Sequence, residues 1–113
     1  MACVAEKHSD VMVVLPQGDS LDASNAKEFK KSMESVVQEN PRIVLDMSGL
    51  KFVDSSGLGA LLSCLRQVNR QNGDMKLCGL SNSVRALIEL VRMHRIFDIF
   101  NSKEEAVEAF HRS

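Results

Sequence analysis

Two adjacent serines, Ser55 and Ser56, follow Asp54 and precede Gly57-Leu58-Gly59 in the stretch KFVDSSGLG at positions 51–59. A serine hydroxyl is a nucleophile when a base activates it and a target when a kinase phosphorylates it. Otherwise it serves the backbone, most often as a helix cap. The sequence gives the first role no support. It has no G-x-S-x-G elbow and no G-x-x-x-x-G-K-[ST] loop, so the common hydrolase and triphosphate-binding signals are missing. GLGALL at 57–62 has two glycines and lacks the third of a dinucleotide fingerprint. His8, His94 and His111 are scattered without metal-ligand spacing and read as surface or helix-end residues. A Ser-His-Asp triad assembles in space, so spacing does not exclude one, but nothing along the chain points to it. The expectation is a protein that is not an enzyme and uses neither cofactor nor metal.

Composition narrows the partners. The chain has 113 residues, the size of one domain, with 14 basic residues against 15 acidic and a net charge of −1. A charge so balanced argues against nucleic acid as partner, and the absence of Trp and Tyr removes the usual stacking platforms. Cys3, Cys64 and Cys78 have no C-x-x-C spacing and read as reduced thiols, Cys64 and Cys78 as small hydrophobes. MACVAEKHSD lacks a signal-peptide core and no apolar run is long enough to span a bilayer. These observations give the expectation of a cytoplasmic protein without membrane contact.

The elements that must position the serines follow from periodicity. Residues 3–7 and 11–17 read as a hairpin, its second strand the β-branched run VMVVLPQG. SLDASNAKEFKKSMESVVQEN reads as a helix with Ala26, Phe29, Met33, Val36 and Val37 on one stripe; Asp22 or Ser24 caps its start and Asn40-Pro41 ends it. RIVLDM at 42–47 reads as a central strand and SGLKFVD as a loop. A second helix begins at Ser55, with Leu58, Leu61, Leu62, Leu65 and Val68 inward. It ends at Asn72-Gly73-Asp74, with Gly73 as its left-handed terminus. A strand at 75–80, a helix SNSVRALIELVRM, a strand at 96–100 and a helix capped by Ser102 and Glu105 complete the chain. Strands alternating with helices predict an α/β fold: a single domain over 1–113, with a mostly parallel mixed β-sheet, an antiparallel edge hairpin and about four α-helices.

This order delivers the serines to the first turn of a helix, where backbone amides lack partners and the dipole is positive, a setting that tolerates an anion. Two readings stand for Ser55: the N-cap of that helix, or a modification site beside a glycine, Gly57, that lets a partner approach. Asp54 is open between an acid that interacts with the helix dipole and a part in the site, and Asp22 between N-capping and a part in the site. Leu58 is open between core stripe and contact surface. Arg66 and Arg85 lie on exposed helix faces open to an interface, with solvated charge as the default reading.

IVLDMSGL followed by FVDSSGLGALL closely resembles the signature of the STAS domains, in particular the stand-alone bacterial anti-sigma factor antagonists. The likeness extends from the hairpin ending in Gly18, through Leu21-Asp22 and NGDMKLCGL, to IFDIF-NSKEEAVEAF. RMHRIF stands where some members have a glycine-containing turn, and GDSLDA has one residue more than some relatives between Gly18 and Asp22. The resemblance implies a regulatory module that switches partners. Unmodified, it binds an anti-sigma factor that is also a serine kinase; phosphorylation by that kinase releases it, and a PP2C-type serine phosphatase resets it. Residue by residue, Ser55 matches the phosphoacceptor, and Ser56, Gly57, Leu58 and Gly59 match the docking surface. Asp54 and Asp22 match acids beside the acceptor, and Asp46 the acid ending the central strand. The resemblance also admits a partner-switching circuit without a sigma factor, governing secretion, motility or biofilm, and a nucleotide-sensing role.

Overall fold

The computed structural model describes residues 1–112. The opening hairpin pairs β1 (Cys3–His8) antiparallel with β2 (Val11–Pro16), and Ser9 takes the left-handed turn position at φ 60°. Beside β2 lie β4 (Arg42–Asp46), β6 (Asp74–Cys78) and β7 (Ile99–Phe100), all parallel, giving a five-stranded sheet in the order β1-β2-β4-β6-β7. The expected mixed sheet with one antiparallel edge is the observed one. Its outer strand β1 is mostly exposed and carries Glu6 and Lys7, charges that discourage edge-to-edge pairing.

Alternation along the strands sends side chains to both faces. Met12, Val14, Ile43, Leu45, Met75 and Leu77 face α1 (Ala26–Glu39), α2 (Ser55–Arg70) and α3 (Asn82–Leu90). On the opposite face, Val11, Val13, Val44 and Cys78 meet Ala106 of α4 (Lys103–His111), flanked by half-buried Val107 and Phe110. Among these apolar residues the buried Lys76 is held by Asp74 and Asp98, both at 3.0 Å, under the Phe110 ring at 4.7 Å. Burial disfavours its charge, but the Asp98 and Asp74 hydrogen bonds outweigh that and raise its pKa. Arg42 ties α4 down from the hairpin side through the Phe110 carbonyl and Asp10.

Several local details differ from the sequence reading. α1 begins at Ala26, after Asn25 and not directly after the expected caps Asp22 or Ser24, because polar side chains capture the backbone before it. The Asp22 carboxylate accepts from the Ser24 amide, and the Asn25 amide group donates to the Ser20 carbonyl. Residues expected to be loop form β5 (Phe52–Val53), which pairs in parallel with β3 (Ser20–Leu21). Asn72, at φ 60°, takes the left-handed position expected of Gly73. Gly73 is required for space, since a Cβ there would lie 2.1 Å from the Pro41 carbonyl oxygen. α3 stops at Leu90, followed by Arg92 at φ 64° and a 3-10 turn, Met93–Arg95. A non-glycine residue therefore holds the left-handed conformation in the RMHRIF segment.

All three cysteines are free. Burial pushes the Cys64 and Cys78 thiols up to about 12 and raises that of half-buried Cys3. A thiol keeps its proton at neutral pH under those conditions, and the thiolate is the reactive species. Native protein treated with a disulfide-exchange reagent at neutral pH is therefore expected to react at Cys3 at most. All three are titrated once denaturant is added; fast native labelling of Cys64 or Cys78 would contradict this packing.

Candidate functional site

The chain leaves β4 through a loop sutured at both ends. Asp46 accepts from the Ser48 amide at 3.0 Å, and the Met47 amide donates to the Cys78 carbonyl at 2.9 Å. The amides of Lys51 and Phe52 then reach the Asp19 carbonyl, and the Asp54 amide reaches the Leu21 carbonyl at 3.2 Å. Together with the β3–β5 pair, these bonds hold residues 48–54 against residues 19–23 and fix where α2 begins. Asp46 thus orders the loop through a backbone amide.

The cap of α2 is Asp54, not Ser55. Its Oδ1 accepts from the Gly57 amide at 2.9 Å and its Oδ2 from the Ala23 amide at 3.1 Å. A carboxylate has two oxygens to share and a hydroxyl one, so Asp54 closes the helix and clasps the neighbouring loop at once. The reading of Ser55 as N-cap is therefore corrected. Ser55 and Ser56 occupy the first helical positions, both exposed, with hydroxyls free of hydrogen bonds among the described residues. Their amides, too few residues into the helix to have an intrahelical acceptor, are also unengaged.

Gly57 and Leu58 take different places from those expected of a contact surface. Gly57 is buried; a Cβ there would sit 2.2 Å from the Leu21 carbonyl oxygen and 2.9 Å from Val53 Cγ1. Its missing side chain admits the β3 backbone, not a partner. Leu58 is 9% exposed and belongs to the core. Gly59 alone of these three faces outward, with open space where its Cβ would be. Asp22 is not a helix cap either: Ser24 and Ser20 hydroxyls and the Ser24 amide bond its carboxylate and lower its pKa. It is brought close to the site indirectly, through the Ala23–Asp54 bond.

The sequence reading missed Phe52. It is 57% exposed beside a cleft of about 280 Å³ lined by Val53, Val84 and Leu87. Two neighbouring residues of a strand point to opposite sides, so once Val53 turns inward Phe52 must turn out. The signal was the pair itself, invisible while 48–54 read as loop. The Ser83 hydroxyl donates to the Lys51 carbonyl at 3.3 Å and fastens α3 to this edge.

Among the described residues no histidine hydrogen-bonds the Ser55 or Ser56 hydroxyl as a base would; His8 pairs with Glu6 and His111 with Asp10. Among the described residues, no three His, Cys, Asp or Glu converge to hold a metal, and no helix is long and apolar enough to cross a membrane.

Strand order, helix placement and the serine-bearing helix start define a small α/β domain whose distinctive feature is a presented surface. The STAS domain family model matches residues 2–106, and the chain belongs to that family. An anti-sigma F factor antagonist of Paenibacillus polymyxa is 29% identical over 104 residues, 90% of this chain and 88% of that protein. A crystal structure from Thermotoga maritima, 25% identical, superposes with a TM-score of 0.90 over 97% of this chain and 95% of that one. The anti-sigma factor antagonist SpoIIAA has the same fold. Its unphosphorylated form (19% identical) gives a TM-score of 0.73, covering 99% of this chain and 100% of that one. The phosphorylated form, from Bacillus, is 20% identical with a TM-score of 0.71, over 96% and 99%.

Proposed function

We propose that this chain is an anti-sigma factor antagonist that works by partner switching in a bacterial cytoplasm. Unphosphorylated, it binds an anti-sigma factor serine kinase; phosphoryl transfer from ATP to Ser55 releases it, and a PP2C-type phosphatase restores it. The observation that carries this reading is the division of labour at the helix start. Asp54 does the capping, so the Ser55 hydroxyl is exposed, unengaged and next to two free amides. A relative named as an anti-sigma F factor antagonist, and a fold neighbour known in unphosphorylated and phosphorylated forms, support it. The surface offered to the kinase is Ser55, Ser56 and Gly59 with Phe52 at its edge; Gly57 and Leu58 shape it from beneath, and Asp54 and Asp22 order it. The same geometry serves a partner kinase that holds no sigma factor, which a pull-down from the native source separates.

The test is to incubate the protein with candidate kinases of its own source and ATP, then to locate the phosphate by mass spectrometry. Label on Ser55 is expected. Label on Ser56 alone moves the assignment by one residue, and no label with any kinase sinks the switching mechanism.

A further inference from the structure

A second surface, apart from the Ser55 end, carries charge that the fold does not use. Between the outer flanks of α1 and α2 runs an open groove of about 390 Å³. Three cations line it: Lys30 on α1, with Arg66 and Arg70 one turn apart on α2. Its one acid is Glu34. All four are exposed, and among the described residues none takes part in an ion pair. Like charges four residues apart on a helix repel each other, and Arg66 and Arg70 stand so with no ion pair among the described residues to offset it. Ser63 and Gln67 add half-buried neutral polar groups between them. The floor is closed by buried Cys64.

The shape and chemistry select among anions. The groove has no aromatic wall on which a nucleobase would stack. Its α2 side, from Ser63 to Arg70, extends roughly 10 Å along the helix axis instead of converging on one phosphate. Guanidinium groups one helical turn apart match carboxylates spaced likewise, each pair able to form parallel N–H···O bonds. We propose that the α1–α2 groove is a docking surface for a carboxylate-rich helical segment of a protein partner, engaged independently of Ser55. Such a contact steers and orients a partner while leaving the acceptor serine free.

The experiment is an NMR titration of the isotope-labelled full chain at low salt. One probe is a helical peptide with glutamates four residues apart, the second a peptide of the same composition with that spacing scrambled, the third inorganic tripolyphosphate. Saturable shifts at the Lys30, Ser63 and Gln67 amides are expected with the first peptide, weakening as salt is raised. In an R66Q/R70Q variant the affinity falls about tenfold or more, whereas S55D binds the peptide as wild type does. Equal response to the scrambled peptide, undiminished binding by R66Q/R70Q, or response to tripolyphosphate alone overturns the proposal, the last in favour of a phosphate ligand. The variant is also melted. A transition at or above the wild-type temperature is expected from relieved repulsion, and a clear drop would assign the arginines to the fold instead.

Discussion

A Ser55→Asp variant folds as the wild type does and binds its kinase partner about a hundredfold more weakly. The two halves of this expectation rest on different parts of the site. Folding is spared because the new carboxylate enters the first turn of α2, where the Ser55 and Ser56 amides are unengaged and the helix dipole favours an anion by about 0.3–1 kcal/mol. Asp54 already has its two amide partners and is not displaced. Binding suffers because an interface that covered an uncharged hydroxyl must now strip water from an ion. Burying a charge without a partner costs about 3 kcal/mol or more, which is roughly a hundredfold in affinity. Phosphate, with a charge of about −1.5 to −2, acts in the same direction and more strongly. Ser55→Ala is the complement: it binds like wild type and is not released by ATP. Calorimetric titration of the partner with the three proteins measures the effect. Equal affinity for Ser55→Asp and wild type would refute the desolvation account, even if Ser55 proves to be the phosphorylated residue.

The second large effect separates two glycines two residues apart. Gly57→Ala places a methyl group 2.2 Å from the Leu21 carbonyl oxygen and 2.9 Å from its carbonyl carbon. Backbone cannot yield as a flexible side-chain end can, and this backbone is pinned by the β3–β5 pair and the Asp54–Leu21 bond. The expected loss is about 3 kcal/mol, the upper end for overpacking, or about a 10 °C fall in the melting temperature for a domain of this size. Gly59→Ala meets nothing within 4 Å and sits inside a helix. It gains about 0.5–1 kcal/mol from reduced backbone entropy of the unfolded chain and better helix propensity. Thermal melts of the two variants should therefore move in opposite directions. A Gly57→Ala protein as stable as wild type would mean that β3 and α2 are less tightly apposed than the structure has them.

Much of the fold was legible because its signals are local. The run VMVVLP, the apolar centre of RIVLDM and the stripe Leu58–Leu61–Leu65–Val68 each record burial in their own spacing, and strand–helix alternation then leaves few topologies. Capping was legible where a residue serves a single helix, as at Ser102, whose hydroxyl accepts from the Glu105 amide as its S-x-x-E pattern implies. It was not legible at the start of α2, where one reading gave the cap to Ser55; Asp54 takes it and shares its oxygens between its own helix and Ala23, a residue 31 positions away. It stayed open at Asp22, whose carboxylate serves a turn before α1. β5 was missed because two residues carry no period, and their partner strand is equally short.

Neighbouring residues were enough to specify an α/β domain and to bring two serines to the start of its second helix, since periodicity and helix-start chemistry are both short-range. Which residues of D-S-S-G-L-G face the solvent is settled by tertiary contacts instead. That depends on Leu21, whose carbonyl lies against Gly57 and fills the space a side chain would need. It depends as well on Ala23, whose amide engages the second oxygen of Asp54. Both contacts join segments far apart along the chain, and no local pattern records them. Through them Gly57 is drawn inward beside Leu58, whose burial its helical stripe already records, while Ser55, Ser56 and Gly59 are left exposed.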